Sequence, residues 1–488
     1  MRTRRSATRL IAPLVLLALA AGSAAPARAT ARYTVTDLGL PPNTTGAVAH
    51  DVNAAGVVVG WVTLPGGTTE AFRWQNGTFL LLGWLPQGRN SVAMGINDAG
   101  VITGDSDTST VDPRAVVWTN GTAGSIKDLT KSQNGSNIHA VDVNASGVIA
   151  GYFRRSSGGT RPWEPMTWGP VYDGNFTLLG DPPGADPAVV NLIAQAINDA
   201  GTVAGWGSIN NTMGQRGWRH DTTTGYDVLG LTNVVGAQNS YAYGINGGGD
   251  VVGYVSASIP TPTGFVIANR AFLAIGDVMT DLGLLPGMTN GQALGINAHR
   301  EIVGVGSDDT STVLRAFVRL GAQLFDLNDM IDPASGWTLQ QATAINESGQ
   351  VVGFGTHLGQ TRAFLLTPIA GPGAVPDGGA GSTPLTLARH AGDPARLDLA
   401  WGAACGATAN DYAVYEGAMG AWTSHDPDTC STLGTTHATV TAVPGNRYFL
   451  VVPVGGGTEG SYGQDSNGTE RPASAHACFA GFNPNRCP

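Results

Sequence analysis

The sequence predicts an all-β fold: a seven-bladed β-propeller closed by an N-terminal strand, followed by a β-sandwich. Three observations predict it. A turn motif, (Ile/Val)-Asn-x-x-Gly between short apolar strands, returns seven times at spacings of 44 to 54 residues. Glycine supplies 70 of the 488 residues, about twice the usual share, as many tight turns between short strands require. The repeat is split between the two ends of its array, which a closed ring needs and an open stack does not.

The motif copies carry Asn53, Asn97, Asn144, Asn198, Asn246, Asn297 and Asn346. An Asn side chain bonds its own backbone two residues on and so opens a turn. The Gly three residues later supplies a positive φ. It is Gly in every copy but the sixth, where Arg300 stands. A second apolar strand follows, ending mostly in Gly. A third strand reads Ala71-Phe72-Arg73-Trp74 in the first copy and Ala363-Phe364-Leu365 in the last. Arg114, Arg270, Arg315 and Arg362 precede it in four copies, and each is expected to pair with a carboxylate on the next strand. Copies three and four keep this strand poorly, and Trp168 and Trp218 anchor it there. A fourth strand ends in Leu-Gly or Asp-Leu. Four short strands in about 48 residues match one propeller blade. The last copy stops after three strands, and Tyr33 to Gly39 reads as the missing fourth.

These repeats resemble the bacterial extracellular HAF repeats, through Gly95-Ile96-Asn97 to Gly100, the Ala-Phe pairs and Asp281-Leu282-Gly283. The family's His is replaced by Glu70, Arg114, Arg270, Arg315 and Arg362. The resemblance covers about residues 33–368 and implies the fold. It implies no activity and no functional residues.

Residues 1–29 read as a signal peptide, with Arg2, Arg4, Arg5 and Arg9 before an apolar run and Ala27-Arg28-Ala29 at the cleavage site. Location is therefore expected to be extracellular or periplasmic, with no membrane span in the mature chain. Its removal takes five of the 26 basic residues and leaves 21 against 36 acidic ones, a net charge of −15. Such a chain, without a basic cluster, is not a nucleic-acid binder.

The propeller is expected over residues 30–368, a flexible Gly-rich linker over 369–383 and the sandwich over 384–488. This last segment resembles a fibronectin type III domain, through Trp401, Tyr412-Ala413-Val414-Tyr415 and Pro444-Gly445 leading to Tyr448 at a tyrosine corner. All four cysteines lie here: Cys405, Cys430, Cys478 and Cys487. An even count in an exported segment reads as two disulfides. Three pairings exist, and Cys405–Cys430 with Cys478–Cys487 close the shortest loops. A zinc site lacks the usual Cys-x-x-Cys spacing.

No catalytic signature is present, and the nine His are scattered. Glu is scarce in the propeller, where a glycosidase would need paired carboxylates. Asp105-Ser106-Asp107 and Asp308-Asp309 are candidates for Ca²⁺, but neither follows the EF-hand pattern. They read as solvated hairpin tips, and no cofactor is expected. Trp163, Trp168 and Trp206 are candidates for stacking on sugars, and the insertion from Arg154 to Gly174 is the first place to look for a site. The expected function is a secreted, monomeric, non-catalytic binding or adhesion protein for an extracellular glycan or protein. The alternative is a secreted propeller hydrolase or lyase acting on polysaccharide.

Overall fold

A computed structural model describes residues 32–109, 112–122, 124–130, 135–155, 163–185, 190–209, 214–231, 234–261, 264–369, 385–393, 395–404, 408–419, 424–441, 445–463, 471–479 and 481–482. The leader (1–29), nearly all of the linker, Cys405 and Cys487 lie outside these residues. Part of the Arg154–Gly174 insertion does too.

The fold is all-β. Among the described residues there are seven four-stranded antiparallel sheets, one per Asn motif. In each the strands follow chain order, and the seventh takes Tyr33–Asp37 as its fourth strand, beside Gln360–Pro368. The first strands are Gly46–Val52, Ser91–Ile96, Gly135–Val143, Asn191–Ile197, Ala237–Ile245, Asn290–Ile296 and Thr338–Ile345. Residues from all seven border one central cavity. The arrangement is propeller-like, with first strands innermost and fourth strands outermost.

Two small residues set the spacing inside every sheet. An Ala of the first strand faces a Gly of the second: Ala49 and Gly60, Ala93 and Gly104, Ala140 and Gly151, Ala194 and Gly205, Ala242 and Gly253, Ala293 and Gly304, Ala342 and Gly353. A Cβ on any of these glycines would lie 1.9 to 2.1 Å from a first-strand carbonyl oxygen. The first strand bulges just after each Ala. The glycine thus sits inside the second strand rather than ending it, because the bulge presses the backbones together there. On its other side it meets the third strand's Phe72, Val116, Met166, Trp218, Phe272, Phe317 or Phe364. All seven are buried.

The Asn side chains do more than cap their own turns. Each Oδ1 accepts an amide of its own loop, as from Val57 N to Asn53 (3.0 Å) and Thr202 N to Asn198 (2.9 Å). Each Nδ2 donates to the carbonyl of the next motif's Asn. Asn53 reaches Asn97 (3.2 Å), Asn97 reaches Asn144 (2.9 Å), Asn144 reaches Asn198 (3.1 Å) and Asn198 reaches Asn246 (3.0 Å). Asn246 reaches Asn297 (3.2 Å), Asn297 reaches Asn346 (3.2 Å), and Asn346 returns to Asn53 (2.9 Å). All seven are buried. Only a short amide has an acceptor and a donor to serve both ends. Asn198→Ala is therefore expected to cost about 2–3 kcal/mol, since it strands a buried amide and a buried carbonyl. Asn198→Asp, which sets a buried carboxylate oxygen against the Asn246 carbonyl, is expected to cost at least as much near pH 7. Urea unfolding of both variants checks this.

Arg300, the exception to Gly in the turn, adopts φ 58°. Its guanidinium pairs with Asp250 of the preceding copy at 2.8 Å, which compensates for the left-handed backbone. The four expected Arg pairs form on the outermost ladder: Arg114–Asp128 (3.0 Å), Arg270–Asp281 (2.9 Å), Arg315–Asp326 (3.2 Å) and Arg362–Asp37 (2.8 Å).

The C-terminal segment has a three-stranded and a five-stranded sheet. Leu399, Trp401 and Val440 share one buried cluster with Tyr412, Val414 and Val451. Trp401 meets Tyr412 edge-on at 5.5 Å. One expectation needs correction here. Cys430 is bonded to Cys478, 48 residues away, and not to Cys405. Residues 471–479 run back along the strand His425–Thr429, held by Ser474 Oγ to His425 O (2.6 Å), and this brings the two sulfurs together. The short-loop pairing failed because tertiary packing outweighed chain proximity. The Tyr448 hydroxyl donates to Ser424 O (3.3 Å), next to the strand His425–Thr429, and Pro444 of the expected tyrosine corner lies outside the described residues.

Candidate functional site

Seven near-identical sheets allow the scaffold to be subtracted. What varies at equivalent positions is free to carry function. The Asn turns join first to second strands at one end of the channel. The connections between second and third strands therefore lie at the other end, the mouth.

Near the Asn turns the channel narrows to a cavity of about 190 Å³. His50, Asp51, Met94, Asp142, Gln195, Tyr243 and Thr343 are among its lining. The position held by Asp51 and Asp142 is Gly95, Ala196, Gly244, Gly295 or Ala344 in the other sheets. Asp51 accepts from its neighbour Val52 N (2.8 Å) and from Ile96 N of the next sheet (2.8 Å). Asp142 does the same with Val143 N (2.7 Å) and Ile197 N (2.8 Å). Burial pushes the Asp51 carboxyl up to about 7, aided by the charge of Asp142. Burial pushes Asp142 up to about 6.

A raised carboxyl pKa favours the protonated folded state. The penalty is absent below the ordinary carboxylate pKa and grows as pH rises toward the folded value. Stability is thus expected to increase as pH falls from about 7 to about 4. Below about 4 it is expected to drop, as Asp37, Asp107 and Asp411, whose pKa values are lowered by hydrogen bonds, become protonated. Thermal melts across this range check the sign, and Asp51→Asn is expected to flatten the slope between pH 7 and 4.

Toward the mouth, the first-strand residues Val48, Val92, His139, Ile193, Tyr241, Gln292 and Gln341 face second-strand Trp61, Asp105, Tyr152, Trp206, Tyr254, Val305 and Phe354. Each second-strand residue directly follows the spacing Gly. Sheets three to five gather their aromatic rings here. Tyr241 stacks on Tyr254 at 4.7 Å, Tyr243 stacks on Tyr254 at 5.8 Å, and Trp206 meets Tyr241 edge-on at 5.0 Å. His139 stacks on Tyr152 at 4.8 Å, and Trp163 closes on Tyr152 at 5.3 Å. All are half-buried. His139 Nδ1 also contacts Asp105 Oδ2 of the preceding sheet at 2.6 Å, and Ala140 N donates to Asp105 Oδ1 at 3.1 Å. No other sheet pair has an acid and a His at these positions. Burial, with the charges of Asp105 and Tyr243, pushes the Tyr152 hydroxyl far above its ordinary range. Tyr254 moves the same way, chiefly through burial. Both hydroxyls stay protonated and able to donate.

Trp163 and Trp206 thus belong to the mouth, whereas Trp168 is fully buried as a third-strand anchor. The Tyr residues and the Asp105–His139 pair were missed. The signal was present: aligning the seven copies on the spacing Gly puts an aromatic residue after it in five of them. The Ca²⁺ candidates spend their oxygens on the chain. Asp107 accepts from Arg89 N (2.6 Å), Asn90 N (2.8 Å) and Asn90 Nδ2 (2.7 Å), and Asp308 from Thr310 Oγ1 (2.6 Å) and Val313 N (3.0 Å). Among the described residues no three His, Cys, Asp or Glu side chains form a metal-binding group. Among them too, no helix is long and apolar enough to cross a membrane.

No protein-family model matches the chain, and no curated protein matches it. Among solved structures it is similar to AofleA from Arthrobotrys oligospora, with 10% identity over 61% of this chain and 90% of that one and a TM-score of 0.35. It is similar to Trypanosoma rangeli sialidase in complex with sialic acid, with 11% identity, 93% and 91% coverage and a TM-score of 0.33. It is similar to an ulvan lyase described as a new family of polysaccharide lyase, with 12% identity, 66% and 94% coverage and a TM-score of 0.36. At these values the likeness carries nothing over to the chemistry of this chain.

Proposed function

We propose that the chain is an exported, non-catalytic binding protein. In this reading the seven sheets are the blades of a closed β-propeller of HAF-like repeats, and the C-terminal segment is a fibronectin type III-like sandwich. The returning Asn346–Asn53 bond and the pairing of Tyr33–Asp37 with the last sheet support closure. The arginine-led leader and the Cys430–Cys478 bond support export.

The observation that carries the function is the mouth cluster of Tyr241, Tyr254, Trp206, Tyr152 and Trp163. Tyr152, Trp206 and Tyr254 hold a position that is aromatic in five copies, Tyr241 and Trp163 are added to them only here, and the half-buried rings combine large apolar faces with hydroxyl and indole donors. Such residues anchor ligands at interfaces. The mouth therefore captures an extracellular glycan or protein. The test is a glycan array together with a surface-protein pull-down, using the mature chain and Tyr241→Ala. Loss of a central aromatic anchor is worth about 2 kcal/mol, or roughly 30-fold in affinity. Equal binding by parent and variant would place the ligand elsewhere.

A hydrolase or lyase acting on polysaccharide is the second reading. The Asp105–His139 pair favours it, because an oriented His is a suitable general base. Turnover of a polysaccharide that is abolished in His139→Gln would establish it over the first.

A further inference from the structure

Within the seven sheets, Tyr33–Asp37 is the strand whose ladder partner lies at the far end of the repeat region. A terminal strand frays unless its end is tied down. Arg32, directly before it, is tied by backbone and side chain. Its N–H donates to Met330 O (2.8 Å), and its carbonyl accepts from Ile369 N (2.8 Å). Its guanidinium carbon lies over the ring of Phe325 at 5.1 Å. Phe325 belongs to Gln323–Asp326, the outermost strand of the sixth sheet, and packs on the cluster that buries Tyr33. The same guanidinium carbon lies over the ring of Phe482 at 5.2 Å. Phe482 comes from the C-terminal segment.

That segment fixes the Phe482 ring from its own side. Gly481–Phe482 runs parallel to Thr458–Glu459 at the edge of the five-stranded sheet. The half-buried ring meets Tyr462 edge-on at 5.7 Å and packs on the cluster of Tyr415, Val452 and Tyr462. The Cys430–Cys478 bond anchors the chain just before it. Arg32 Nη1 is buried and, among the described residues, donates to no acceptor. A guanidinium withdrawn from water without a carboxylate is costly. The faces of two aromatic rings are the compensation at this position, and one of the two is supplied by Phe482. Residues 370–384 join the two regions and lie outside the described residues. A tether of this length keeps its two ends at an effective concentration on the order of 1 mM. A contact too weak to hold separate molecules together therefore holds these regions together.

We infer that the C-terminal segment docks on the outer wall of the repeat region and clasps the strand Tyr33–Asp37 in place, with Arg32 and Phe482 as the two halves of the clasp. The clasp lies at the outermost strands and does not depend on what the mouth binds.

Amide exchange of a chain of residues 30–488 provides the test. Phe482→Leu keeps an apolar side chain against Tyr462 and removes the aromatic face. It is expected to speed exchange in Tyr33–Asp37 about 10-fold, the loss of one desolvated cation–π contact. Exchange in Val203–Ser208 of the fourth sheet is expected to stay at the parental rate. Coupling between two sites is reciprocal. Arg32→Ala is therefore expected to speed exchange in Thr458–Glu459 and Gly481–Phe482 by a similar factor. In the Arg32→Ala background, adding Phe482→Leu is expected to change exchange in Tyr33–Asp37 no further. Parental exchange in Tyr33–Asp37 of Phe482→Leu, or at the C-terminal edge of Arg32→Ala, overturns the clasp. So does a full effect of Phe482→Leu in the Arg32→Ala background, which makes the two residues act separately. Should Phe482→Leu unfold its own domain, seen as fast exchange in Asp411–Ala418, the Arg32→Ala arm decides alone.

Discussion

A chain of residues 39–488 is expected to lose the single cooperative unfolding transition of its repeat region. Tyr33–Asp37 pairs residue by residue with Gln360–Pro368, from Tyr33 opposite Pro368 to Asp37 opposite Phe364. Tyr33 is buried with Leu327, Met330 and Leu366. Asp37 Oδ2 accepts from Arg362 Nη1 at 2.8 Å and contacts His357 Nδ1 at 2.9 Å, while its Oδ1 accepts from Gly39 N at 2.8 Å. Burial of Tyr33 alone is worth about 2 kcal/mol, and each ladder bond adds about 1 kcal/mol. Deletion removes all of these and leaves Gln360–Pro368 as an open strand edge that invites association. Urea unfolding is expected to show a loss of 5 kcal/mol or more in this region, as a rough figure, and light scattering is expected to show aggregates. A peptide of residues 30–40 added in trans is expected to restore the monomer by strand addition. A truncated chain that unfolds at the parental midpoint and stays monomeric would remove the closing role of this strand.

The second large effect is expected from Gly205→Ala. A methyl group there would lie 2.0 Å from the Ile193 carbonyl oxygen and 2.6 Å from the Trp218 ring. The first contact sets the new Cβ against a backbone oxygen, so no rotamer change relieves it. Relief requires the first strand to move, and that strand lines the channel. The cost is expected to reach roughly 4 kcal/mol or more, at the upper end of overpacking effects. Gly201→Ala, at a turn with φ +85° and nothing within 4 Å of the new methyl, isolates the left-handed strain. It is expected to cost about 1 kcal/mol. Thermal melts of the two variants check the ranking, and equal losses would refute the close-contact argument.

The scaffold was legible because it repeats. Seven Asn-x-x-Gly turns, the Phe or Trp of the third strand and the split last copy each follow from local rules of turn and strand chemistry. The Arg–carboxylate pairs were legible too, since an Arg precedes the Ala of the third strand and an Asp ends the fourth in these copies. The mouth was less so. Tyr241, Tyr243 and Tyr254 lie within one copy, but Trp206 comes from another, and Asp105 reaches His139 across a sheet boundary. No periodicity encodes a contact between unlike positions of different copies.

By itself, then, the sequence determined the all-β class, the number of sheets and the role of glycine in the turns. These depend on residues close in the chain, whose backbone preferences act alone. The tertiary structure alone decided three things. It joined each Asn amide to the next turn, it paired Cys430 with Cys478, and it gathered the aromatic rings of three sheets at one end of the channel. Each of these depends on which surfaces meet once the sheets pack, and that is set by the summed burial of many side chains rather than by any local signal.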